Sequence, residues 1–151
     1  MAQYTGSQLG ITPATGVANW ILQAASGVGG FIKEVVYGGE VTTSTAMRTR
    51  IARDSALGTG SATAGNVQKG SSHSPSNGVA FNTTYATTQP TIVAGSLWAT
   101  SWNAHGGVVR MLVDPSEIFD VYDAGAASSS IECRQDIGTA TSSFVLVWLE
   151  W

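Results

Sequence analysis

The C-terminal run Thr141-Ser-Ser-Phe-Val-Leu-Val-Trp-Leu-Glu-Trp151 constrains the fold more than any other stretch. With a period of two, Phe144, Leu146 and Trp148 fall on one face, and Val145, Val147, Leu149 and Trp151 on the other. Both faces are apolar, so neither is meant for water. The run is β-branched and aromatic, bounded by Ser and Thr, and far short of the roughly 20 residues that cross a bilayer. It is predicted to be a central strand, covered on both sides by this chain or by a sister chain. The remaining sequence must supply the sheets around it.

A chain of 151 residues is long enough for one domain with a substantial core. Only 11% of it is charged, against about 25% in an average globular protein. Gly, Ser, Thr and Ala make up the difference, and a hydrophobic share of 43% argues against disorder. The net charge of −3 lacks the basic stripe of a nucleic-acid binder, so no nucleic-acid partner is expected. The lone Cys133 excludes an intrachain disulfide and a Cys-based zinc cluster. It is expected to be a small, half-buried hydrophobe on a strand. The opening Met-Ala-Gln-Tyr-Thr-Gly-Ser has no basic or apolar segment of a signal peptide. Synthesis in a cytoplasm and no membrane partner are the expectations.

Residues 1–16 are polar, contain Gly and are interrupted by Pro13, which predicts an N-terminal arm. Tyr4, Leu9 and Ile11 are its candidate anchors on a partner. Strand patterns follow over 17–24, with Trp20 and Leu22 on one face. They continue over 31–37, where Phe31, Val35 and Tyr37 alternate with Ile32, Glu34 and Val36. Residues 45–53 alternate Met47, Thr49 and Ile51 with Arg48 and Arg50, a half-exposed strand. Its two arginines are either solvated or an interface strip that meets carboxylates of a partner. Residues 54–80 are dominated by Gly, Ser, Thr, Ala and Asn, and read as a long loop with one weak strand near Val67. Further strands are expected near 83–88, 91–93, 96–102, 108–113, 119–122 and 131–135, before the C-terminal one.

Eight to ten short strands separated by turn signals, with no stretch of helical period, predict an all-β, single-domain β-sandwich that is jelly-roll-like. The sandwich proper would span 17–151, with the 54–80 loop inside it.

Residues able to carry chemistry are few. His73 and His105 are not in metal-ligand spacing with each other or with Cys133. His105-Gly106-Gly107 has the look of an oxyanion-hole segment, but the Gly-x-Ser-x-Gly elbow that would accompany it is missing. Asp114, Glu117, Asp120 and Asp123 cluster without calcium-loop spacing. No catalytic residue, cofactor or metal is therefore expected. Trp98 and Trp102 share a face, and such rings line a core or a subunit interface, or form a platform on which a sugar stacks. Trp151 joins them as a candidate contact.

Three stretches together resemble a known class. They are Asn19-Trp-Ile-Leu-Gln-Ala-Ala-Ser-Gly-Val-Gly-Gly-Phe-Ile-Lys-Glu-Val, Thr45-Ala-Met-Arg-Thr-Arg-Ile-Ala-Arg53, and Leu97-Trp-Ala-Thr-Ser-Trp-Asn-Ala-His-Gly-Gly-Val-Val-Arg110. They resemble small virion structural proteins of tailed bacteriophages, of the kind that decorate or cement the capsid. The resemblance implies a β-sandwich, commonly a homotrimer, seated on the outer surface of the capsid against the major capsid protein. It carries over no functional residue. A lectin-like module of a tail or head fibre that binds host glycans through Trp98 and Trp102 is the alternative, as is another tail or head-completion part.

Overall fold

A computed structural model describes residues 1–25, 27–114, 119–122 and 130–150. The first half of the chain forms β1 (Ala2–Ile11), β2 (Ala18–Ala24), β3 (Gly29–Gly39), β4 (Ala46–Ala56), β5 (Ala62–Ala64) and β6 (Asn66–Lys69). The second half forms β7 (Val79–Tyr85), β8 (Thr91–Ile92), β9 (Trp98–Asn103), β10 (Val108–Leu112), β11 (Asp120–Tyr122), β12 (Ser130–Ile137) and β13 (Ser142–Glu150). Two antiparallel sheets pack face to face as a β-sandwich, the all-β fold expected from the turn spacing. The first sheet runs β10-β3-β13-β1-β6, with β11 also on β3. The second runs β5-β7-β2-β12-β4-β8, with β9 also on β4. From β1 to β4 the chain changes sheet at every connection, so neighbours in sequence face each other across the core.

β13 is central, as its two apolar faces require, between β1 and β3. Phe144, Leu146 and Trp148 point inward and are buried, while Val145, Val147 and Leu149 point outward and are half-buried. The inner face is closed by two aromatic groups. Trp148 lies between Tyr4 and Phe81, with ring centroids 5.8 and 5.9 Å away. Tyr37 meets Phe144 edge-on at 5.2 Å and also packs against Trp98 and Trp102. Offset and edge contacts of this kind suit the ring quadrupoles and bury large apolar areas. The Phe81 ring needs space, and Gly6 provides it: a Cβ there would lie 2.7 Å from the ring.

Three sequence expectations change. Residues 2–11 are not an arm but β1, paired with β13 along one edge and β6 along the other. Their alternation is weak in the sequence because only Tyr4 and Gly6 are fully buried, and a glycine carries no hydrophobic signal. The 54–80 stretch holds the end of β4, two short edge strands and the start of β7, so its irregular parts shrink to 57–61 and 70–78. The weak strand expected near Val67 is β6. Finally, the alternation along β3 breaks. Val147 pairs with Glu34 but Trp148 with Ile32, so Lys33 is an extra residue. This bulge turns Ile32 into the core with Val35 and Tyr37 and leaves Phe31 outside.

Candidate interaction surfaces

The outward face of the first sheet carries a row of apolar side chains. β13 contributes Val145, Val147 and Leu149. Register places Val36 beside Val145 and Phe31 beside Leu149. β10 adds Val108 and Leu112, 71% and 62% exposed, with Arg110 between them. Arg110 forms an ion pair with Glu34 on the same face. Its hydrogen bond holds the Glu34 carboxyl below the usual carboxylate range. On the β1 side the face turns polar but uncharged, with Gln3, Thr5 and Ser7 opposite Leu149, Val147 and Val145. Lys33, on the bulge, donates to Gln3 Oε1 at 3.3 Å. The face is thus an apolar ladder whose charges are largely matched within the chain.

The sequence-predicted contact residues are scattered. Tyr4 is fully buried in the core and its hydroxyl donates to the Pro75 carbonyl at 3.1 Å, so it anchors the chain to itself rather than to a partner. Ile11 packs half-buried against the core, and Leu9 is 68% exposed. Trp102 is buried and Trp98 half-buried, both against Tyr37. Their shared face is the inner face of β9, so they form no sugar platform. Arg48 and Arg50 do share a face, yet the carboxylate they meet is this chain's own Asp136, at 3.7 and 2.9 Å. β12 lies beside β4, a pairing distant in sequence that no local pattern announces. Trp151, Glu117 and Asp123 lie outside the described residues.

The candidate chemical groups are engaged structurally. Asp120 forms an ion pair with Arg53 at 2.6 Å. His105 Nδ1 lies 3.1 Å from the Val41 carbonyl, and its backbone N–H donates to Asn103 Oδ1, which closes a turn. His73 is exposed beside Ser72. Cys133 is fully rather than half buried, because the opposite sheet covers it. Its thiol lies 3.4 Å from the Tyr37 hydroxyl, and burial pushes its pKa up to about 12. Among the described residues no group of three or more His, Cys, Asp or Glu side chains is placed to hold a metal ion.

One cleft, of about 640 Å3, opens at the end of the sandwich between Met1, Tyr4, Val28, the 71–76 loop and Glu150. Its strongest polar group is already occupied. Glu150 accepts hydrogen bonds from the Gly78 and Val79 amides and from Trp148 Nε1, at 2.8, 3.1 and 2.8 Å. That carboxylate ties the 71–78 loop to β13 and has little left to offer a ligand.

Sequence reasoning missed a second, buried feature on the outer face of the second sheet. Asp54 of β4 and Glu132 of β12 are both 0% exposed. Ser130 donates to Asp54 Oδ2 at 2.5 Å, while Asp54 Oδ1 has no hydrogen-bond partner. Glu132 Oε1 lies 2.5 Å from Arg134 Nε without the alignment of a hydrogen bond. Burial pushes Asp54 up to about 6 and Glu132 up to about 7, and the charge of Asp54 adds to the latter. The alternation Ile131-Glu132-Cys133 gives only an outward Glu, and nothing local says that the outside is covered.

No family model matches this chain, and no curated protein or solved structure shows significant similarity to it.

Proposed function

We propose that this chain is a non-enzymatic structural subunit of a bacteriophage virion, a capsid cement or decoration protein that works as a homotrimer on the outer surface of the head. The reading starts from the sequence resemblance and is supported by one structural observation, the outward apolar ladder of the first sheet. Contiguous exposed apolar surface of this kind marks interaction sites on folded proteins. A face nine residues long on β3, β13 and β1, with the five residues of β10 and the four of β6, covers about 570 Å2 at strand spacings of about 4.8 Å and rises of about 3.3 Å. A standard interface takes about 800 Å2 from each partner. The apolar ladder with its polar β1 flank and the loops at its rim suits a sister copy, and closed cyclic symmetry is the common way to bury it. The loop-bearing ends of the sandwich remain to contact the major capsid protein. Many such contacts, each weak, add up through multivalency to hold a shell against internal pressure.

The glycan-binding alternative loses its footing, because the Trp98/Trp102 face is turned into the core.

The test is the copy number of this protein in purified particles, together with the mass of the free protein. Hundreds of copies in a simple ratio to the capsid subunit, and a trimeric mass that Val147→Lys reduces to monomer, are expected. A few dozen copies or fewer would move the protein to the tail or a fibre. A wild-type monomer at micromolar concentration would remove the trimer.

A further inference from the structure

The second sheet contains a device that depends on its topology. β7 pairs with β2 and β8 pairs with β4, and β12 lies between β2 and β4. The connection from β7 to β8, residues 86–90, therefore has to cross from the β2 side of β12 to its β4 side. Its contacts mark the path. At the near end, Tyr85 donates from its hydroxyl to Gln23 of β2 at 3.1 Å. At the far end, Arg134 of β12 donates to the carbonyl of the buried Pro90 at 2.5 Å. Gln89 donates back to Thr84 Oγ1 and the Tyr85 carbonyl, which holds the crossover folded.

Linked to this crossover through Arg134 and Tyr85 are Asp54 and Glu132, both without access to solvent. Farther along the same outer face, the side chain of Arg48 is 49% and that of Arg50 31% exposed. An outer sheet face normally meets water, so the burial of the two carboxyls needs a cover, and the crossover lies where one is required.

We propose that residues 86–90 form a pH-operated clasp, shut while the Asp54 and Glu132 carboxyls share protons beneath it and opened reversibly when both ionise. The charge inventory around the pair supports this. From β12 it faces Arg134, with Asp136 farther along; from β4 it faces Arg50, which is already bound to Asp136. From β7 it faces the neutral Tyr85 and from β2 the neutral Gln23. Arg53, the next residue of β4, is committed to Asp120. Among the described residues one guanidinium, that of Arg134, pairs with Glu132, binds the Pro90 carbonyl and is also the cation that favours an ionised Asp54. Two buried anions cannot both be satisfied by it. Displacing the crossover admits water to both, so ionisation and opening are linked, and each drives the other. The segment moves as a unit with residues 59–61, to which the backbone of Ala86, Thr87 and Thr88 is hydrogen-bonded, and the β8 that follows has only two residues, Thr91 and Ile92, in the sheet. The inference rests on the second sheet alone and is independent of the proposed virion role.

Hydrogen exchange of peptides covering 84–93 tests it on the full chain between pH 5.5 and 8.5, with rates corrected for intrinsic exchange. Protection of this segment is expected to fall at least tenfold over that range while β13 peptides keep theirs. In Glu132→Gln the fall is expected to vanish, and in Asp54→Asn, which serves if the first variant does not fold, to shrink. Constant protection in the wild type overturns the clasp. So does parallel loss in β13, which would mean global unfolding, or an undiminished fall in the variant that folds.

Discussion

Tyr4 separates a detached arm from a structural strand. On a loose arm it would be a side chain waiting for a partner, and its removal would not affect the isolated protein. In the structure it is fully buried, 5.8 Å from the Trp148 ring, with its hydroxyl on the Pro75 carbonyl. Truncating a buried aromatic to Ala costs about 3–5 kcal/mol, transfer and cavity terms together. Tyr4→Phe keeps the ring and loses one partly buried hydrogen bond, worth about 1 kcal/mol. The expected ratio between the two variants is therefore about four to one, by the same mutational scales. Since whole domains are stable by only about 5–15 kcal/mol, Tyr4→Ala should remove a large share of the total. Urea unfolding of the isolated chain, followed by Trp fluorescence, measures both variants, with an unchanged slope confirming the same transition. Deleting residues 1–12 should be more severe still, because it strips pairing from both β13 and β6 and leaves a chain that does not fold. A Tyr4→Ala midpoint within about 1 kcal/mol of wild type would refute this assignment of β1.

Three further outcomes follow from the packing and the buried groups. Asp54 and Glu132 are held above their ordinary values of 3.8 and 4.5, so the folded state binds more protons than the unfolded one. Their contribution is present below about pH 4, is lost as pH rises toward 7, and then levels off. With Glu132 near 7, it alone removes about 3 kcal/mol across that window, and Glu132→Gln should flatten a stability profile taken by urea unfolding at each pH; a profile rising from pH 5 to 8 would contradict this. Glu34, held low by Arg110, acts with the opposite sign but only as pH falls below the ordinary carboxylate range. Gly6→Ala forces a Cβ against the Phe81 ring and should lower stability by about 1–3 kcal/mol in thermal unfolding, whereas a neutral result would mean that the ring can shift. Cys133, buried with its thiol pushed up to about 12, should resist a disulfide reagent at pH 8 in the native protein and react only on unfolding; stoichiometric labelling within minutes would contradict its burial.

The amino-acid sequence by itself determined the fold class and the strands with strong alternation. β13, the inner face of β2 and the inner face of β4 were legible because β-branched and aromatic residues at a period of two have no other compact use. The turn at Asn103–Gly107 was legible from its residue types. What only the tertiary structure decided depends on contacts between residues distant in the chain. β1 is a strand because β13 and β6 supply its partners, although its own residues are mostly polar. The bulge at Lys33 is set by the register against β13, and it decides that Ile32 rather than Phe31 enters the core. Trp98 and Trp102 were visible as a pair, but whether their face met the core, a neighbour or water depended on where β9 docked. Asp54 and Glu132 show the limit most plainly. Alternation within a strand says which side chains point outward, but only the tertiary fold makes that outside an interior, where both carboxyls are buried. Local pattern encodes periodicity; burial is a property of what other parts of the chain are brought on top.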